Sequence, residues 1–259
     1  MKYSFLFLFI ILIFPCFQAQ ELTDNFKYKA IYKLTWQIDS TDAESVQSKT
    51  MLFFIGGASS RFSSEGQHIG DSIQSAYQER EKTPQSFREM RSKMPKTEFN
   101  YYIGKNVDSR KISYREKIIK DYYEYIEDLS NLEWDILTET KKIAGFKVQK
   151  AKTNYAGRHY TAWFTSEIPI PDRPYKFNGL PGLIVKIVNE KEFYVFELTG
   201  FKSLKNPVFN IENKEEYLKT DKSIFLEIKE VYNANPIGAM EQIGKRAKGY
   251  IKKEKQPHR

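Results

Sequence analysis

Apolar and polar residues alternate through much of Phe26–Ile38, the period of a strand with one buried face. Met51–Ile55 is a short apolar run closed by Gly56-Gly57, a turn signal. Further strands are predicted over Phe99–Lys105, Lys111–Ile119, Tyr122–Glu127, Trp134–Leu137 and Phe146–Thr153, then Arg158–Thr165, Leu183–Val188 and Phe193–Phe201. Tyr155-Ala156-Gly157-Arg158 has the composition of a tight turn and would fold Phe146–Thr165 into a hairpin. Closely spaced strands without intervening helices imply antiparallel pairing, in a sandwich, a barrel or a strongly curved sheet.

A helical period is confined to two places. Ile69–Pro95 is a very polar insertion, readable as two short helices or a mobile loop. Near the C-terminus, Asn213 with Glu216 fits a cap pair, and Asp221 precedes Ile224, Phe225, Leu226 and Ile228. Asn235-Pro236 then opens a helix with Ile237, Met240, Ile243, Ala247, Tyr250 and Ile251 on one stripe. Its other face and tail carry Lys245, Arg246, Lys248, Lys252, Lys253 and Lys255, which suits solvation and the helix dipole.

The first residues read differently. Met1-Lys2-Tyr3 supplies one positive charge, Phe5–Phe14 is an unbroken apolar run, and Pro15 ends it. That is a secretory signal peptide, too short for a spanning helix and followed at once by Gln18, Gln20 and Glu21. Cleavage is expected near Ala19, so that 1–19 leaves and 20–259 forms a single domain in the periplasm or outside the cell. Cys16 is the only cysteine, and bulky Phe14 and Pro15 before it argue against lipid attachment. Its loss with the leader would remove disulfides and thiolate chemistry from the mature chain.

Composition adjusts this picture only slightly. At 41% hydrophobic and 15% aromatic residues the chain can bury a sizeable core. Its +8 net charge is dispersed among acids, a solvated surface suited to peripheral envelope contact and not to nucleic acid. His68, His159 and His258 are too few and too scattered for a metal site or a hydrolytic triad, and no phosphate-binding glycine loop is present. No cofactor is expected and no catalytic residue is assigned; the enzyme question leans to no. Glu167 and Asp172 lie close in sequence, but in a chain with 33 acids that proximity carries no assignment.

The most distinctive stretch is Gly179-Leu180-Pro181-Gly182-Leu183-Ile184, with Pro169, Pro171, Pro174 and Pro181 stiffening the crossing that leads into it. Leu180-Pro181-Gly182-Leu183 reads as a type II turn with trans Pro181 and positive φ at Gly182. Together, Tyr160–Ile170 and Pro174–Ile184 closely resemble the signature of the GLPGLI family, secreted proteins of undefined role. The resemblance implies an open, bowl-shaped antiparallel sheet, similar in outline to periplasmic lipoprotein carriers and to the N-terminal domain of some secreted peptide-N-glycosidases. The expected fold is thus mainly β (β-rich α+β), a curved, open antiparallel sheet or half-barrel with C-terminal helices.

In such a bowl, Trp163 is the candidate lining residue, with Tyr160 and Tyr175 nearer the rim. The expected function is an exported envelope binding or carrier protein with a lipid, lipoprotein or glycan ligand. The alternatives are a hydrolase or hydrolase accessory acting on envelope glycans or glycoproteins, and a docking module for an outer-membrane receptor. Oligomeric state stays open.

Overall fold

The computed structural model describes residues 26–129, 132–170, 172–208, 217–236 and 238–239. The expected signal peptide 1–19, the Asn213–Glu216 cap pair and the stripe from Ile237 onward lie outside the described residues. In chain order the elements are β1 (Phe26–Gln37), β2 (Val46–Ile55), β3 (Ser59–Ser64), α1 (Glu65–Gln78) and α2 (Pro84–Lys93). There follow β4 (Tyr101–Asn106), β5 (Lys111–Ile118), β6 (Asp121–Asp128), β7 (Asp135–Ile143), β8 (Phe146–Tyr155) and β9 (Arg158–Thr165). Last come β10 (Leu183–Asn189), β11 (Tyr194–Val208), β12 (Tyr217–Lys219) and α3 (Lys222–Ala234).

Among the described residues all the strands form one open sheet in the order β12-β6-β5-β4-β3-β2-β1-β11-β10-β9-β8-β7. It is two meanders, β1–β6 and β7–β11, joined along a single seam between β1 and β11. Pairing is antiparallel throughout except for β12 on β6. The sheet curls strongly. Phe62 on β3 and Phe196 on β11 lie three strand spacings apart, about 14 Å in a flat sheet. Their ring centroids are nevertheless 6.0 Å apart.

The predicted alternation decides the faces. Ala30, Tyr32, Leu34 and Trp36 of β1 point to the concave side, in register with Phe53, Met51 and Leu198 on neighbouring strands. Each such fully buried large apolar side chain contributes roughly 1.5–3 kcal/mol. The concave face is filled by two pieces of the same chain. The crossing Ser166–Gly182 lays Ile168, Ile170, Phe177 and Leu180 into it, and α3 adds Phe225 and Ile228 against Tyr114 and Tyr125.

The polar insertion is ordered as two helices. Ser64 caps α1 by accepting from the Gln67 amide. Thr83 and Ser86 form a reciprocal capping box at α2, with Pro84 at its first turn. Asp221 stands at the N-cap of α3, and Asn235 accepts from the Gly238 amide as a helix-opening cap does. The hairpin turn falls at Ala156 (φ 49°) and Gly157 (φ 74°), the two left-handed positions of a type I′ turn.

One local expectation is corrected. Pro181 is trans, but Gly182 does not have positive φ; the left-handed glycine of the signature is Gly179, at φ 89°. Gly182 is required for another reason. A Cβ there would lie 2.0 Å from the Thr165 carbonyl oxygen, because the end of the crossing packs backbone to backbone on the end of β9.

Candidate functional site

The crossing brings charge with it into the concave face. Asp172 meets Lys105 of β4 at 2.5 Å with both side chains buried, and it also accepts from the Ser60 hydroxyl of β3. The Lys105 ammonium donates further to the carbonyls of Arg173 and Phe177, the latter at 3.3 Å. Burial pushes the Lys105 amine down, with Asp172 opposing that fall. Burial likewise takes Arg173 down to about 10, while its guanidinium donates to the Ile170 and Asp172 carbonyls. Tyr32 closes the arrangement by donating to the Ile184 carbonyl at 2.7 Å. Such paired buried ions fix the crossing in one register, and among the described residues only Arg173 Nε of this group is left without a hydrogen-bond partner.

Nearer the mouth, Lys176 donates to the Tyr125 hydroxyl at 2.9 Å and to Glu127, which Lys222 at the start of α3 also holds. Burial alone would raise the Glu127 carboxyl; the two lysines outweigh it and hold it below the usual range. The crossing, the sheet and α3 are thereby tied at one point.

The signature's second effect is to build a wall. Trp134 donates its indole N–H to the Asn178 carbonyl at 2.7 Å, and the Asn178 side chain accepts from the Leu132 amide at 3.4 Å. Gly179 lies so close that a Cβ would come within 3.1 Å of the Leu132 oxygen and 3.4 Å of the Trp134 ring. From the other side, Thr153 of β8 donates to the Glu133 carbonyl at 2.6 Å. Leu132–Asp135 is thus pinned against the tip of the β8–β9 hairpin.

Between them opens a cleft of about 1060 Å³. Half-buried Trp134 and Tyr160 present aromatic surface to it, and Glu133, Asp135, Glu190, Asn154 and His159 supply polar groups around them. Phe177 of the crossing supports both rings from beneath, with centroids 5.1 Å from Tyr160 and 6.5 Å from Trp134. Among the described residues, no group of three or more His, Cys, Asp or Glu converges as a metal site.

The three candidate residues do not form one constellation. Tyr160 lines the cleft. Tyr175, at φ 57°, turns into the core, where its ring lies 6.0–6.3 Å from those of Phe177, Phe196 and Phe62; burial pushes its phenol up to about 12. Trp163 does not line the bowl. It is paired with Lys150 and Lys186, so strand alternation places it on the convex face, where Lys141 covers its ring at 3.8 Å. The sequence pattern marks Trp134 only as the start of a strand. Its clue lay elsewhere, in the Asn178-Gly179 pair that receives it.

The chain is matched over residues 156–186 by a family model described as a protein of unknown function (Porph_ging). No curated protein matches it in sequence. Among solved structures it resembles PNGF-II in a P21 crystal form, with a TM-score of 0.56 at 15% identity over 78% of this chain and 33% of that one. PNGF-II in a C2 form is similar, at a TM-score of 0.54 and 16% identity over 78% and 32%. The chain spans about a third of the length of these structures. At such identity the likeness is one of fold.

Proposed function

We propose that the protein is an exported cell-envelope binding module that engages glycosylated material through the Trp134–Tyr160 cleft. The observation that carries this reading is the anchoring of Trp134. The signature loop spends a buried amide and a left-handed glycine on holding one half-exposed indole at the edge of an open cleft. Rigid aromatic faces pack against the C–H face of a sugar ring, while carboxylates and amides bond its hydroxyls. The accessory role implied by the sequence resemblance points the same way, as does the likeness in fold to PNGF-II.

Emission from Trp134 in a Trp36→Phe/Trp163→Phe background tests it. Glycopeptides should give a saturable change, their deglycosylated counterparts none, and Trp134→Ala should weaken binding at least about tenfold without loss of folding. Equal response to both peptides, or none to either, would overturn the reading.

A carrier for apolar ligands is the second reading. An open hollow of about 310 Å³ lies between Tyr28 and Phe201 on the sheet and Ile168-Pro169-Ile170 of the crossing. Saturable binding of envelope lipid that is lost in Phe201→Ser would favour it over the glycan reading.

A further inference from the structure

The convex face holds a hollow of its own, about 400 Å³ in volume, on the opposite side of the sheet from the crossing. Its floor is set by register. Arg61, Gly104, Ser113 and Ile126 stand side by side in one row across β3, β4, β5 and β6. Gly104 is the informative member. It sits in mid-strand with ordinary φ and unbroken pairing on both sides, so neither a turn nor a bulge requires a glycine there. Among the described residues no other backbone approaches it closely either. A Cβ would meet the Ser113 hydroxyl at 2.6 Å, and otherwise nothing nearer than the Ser60 carbonyl at 4.0 Å. Glycine within a strand is less stable than alanine, because it loses more conformational freedom on folding. Here it keeps a floor open.

The walls decide what fits. Tyr102, Tyr217 and the 56% exposed Ile126 present aromatic and apolar surface. The cations around the hollow stand beside acids. Arg115 donates to Glu124 at 2.6 Å, Lys111 meets Asp128 at 2.5 Å, and Arg61 is faced by Asp71 of α1. Charge is balanced, so a free anion gains little net attraction, whereas a ligand rich in both donors and acceptors finds partners for each.

We propose that this hollow binds a small, neutral, polyhydroxylated ligand, a single sugar residue by chemical class. It is separate from the Trp134 cleft and does not depend on it.

Amide chemical shifts of the full protein, titrated with glucose, mannose and N-acetylglucosamine, provide the test. At least one neutral sugar should give saturable shifts at the Gly104 and Ser113 amides, changing less than about twofold in affinity between 0.05 and 0.5 M salt, roughly the range over which exposed charges become screened. Gly104→Leu, and independently Ser113→Leu from the facing strand, should each weaken that binding at least about tenfold while the Trp134 indole signal keeps its response. Absence of any sugar shift would overturn the proposal, as would shifts that persist in both variants. Response to inorganic phosphate or glucose 6-phosphate with none to neutral sugars would overturn it too. A lost Trp134 response with intact Gly104 shifts would sink the cleft reading and leave this one standing.

Discussion

The two faces of the sheet manage the same difficulty in opposite ways. A curled sheet concentrates side chains on its concave side, and here the chain fills that side itself, with a proline-stiffened crossing and α3. Charges that enter are buried and matched, as Lys105 and Asp172 show. On the convex side α1 covers only part of the described sheet, pairs such as Lys111–Asp128 stay wet, and a mid-strand glycine holds space open. Space for ligands in a bowl-shaped sheet therefore need not lie inside the bowl. In this chain the Trp134 cleft lies at the rim and the Gly104 hollow on the back.

The comparison can be broken most severely at Gly182. Even Gly182→Ala places a methyl group against Thr165 backbone that cannot rotate away. A loss of about 4 kcal/mol or more is expected in denaturant unfolding, since neither partner can yield. Next comes Asp172→Ala, which strands the buried Lys105 ammonium and should cost about 3–5 kcal/mol. Lys105→Met with Asp172→Leu should recover only part of that loss, because the buried Ser60 hydroxyl, the Arg173 amide and the Arg173 and Phe177 carbonyls lose their partners with the pair.

The convex face has a smaller, pH-dependent signature. Burial, aided by Arg61 and Lys29, lowers the His68 ring from 6.5 to about 4. The unfolded chain then takes up that proton first, and stability falls as pH drops through this window. Burial raises Asp71 from 3.8 to about 6, against Arg61 and Gln67, so the folded chain gains stability as pH drops over nearly the same range. The two oppose each other in the native protein. The melting temperature of Asp71→Asn should fall between about pH 6.5 and 4, and that of His68→Gln should rise. The smallest effect belongs to exposed pairs. Glu139→Ala, which frees Lys150 on the convex face, should shift stability by less than about 0.5 kcal/mol.

Much of the sheet was legible in the chain because alternation survives wherever one face is apolar. β3 was not, since Ser60, Arg61, Ser63 and Ser64 are polar yet buried. Their burial depends on distant partners, Asp172 for Ser60 and the Phe99 carbonyl for Ser64, which no local pattern announces. The same holds for the site. The crossing stood out as stiff and aromatic, but what it clamps is chain 44 residues earlier. Its two glycines also divided the work unexpectedly: Gly179 supplies the unusual φ, and Gly182 the close approach. A signature read as one turn is two separate fittings.

The seam between the meanders has a consequence for the order of folding. β1 is made first but acquires its second neighbour only when β11 emerges, and the Tyr32–Ile184 hydrogen bond beside the seam already spans 152 residues. Until then β1 is an unguarded edge backed by Ala30, Tyr32 and Leu34, which the finished protein buries completely. Zippering it is a long-range step that pays loop closure late, so the first meander waits as a half-sheet exposed to mispairing. Where the seam forms in the rate-limiting step, seam substitutions should therefore slow refolding in proportion to the stability they remove, and lengthen exposure to aggregation.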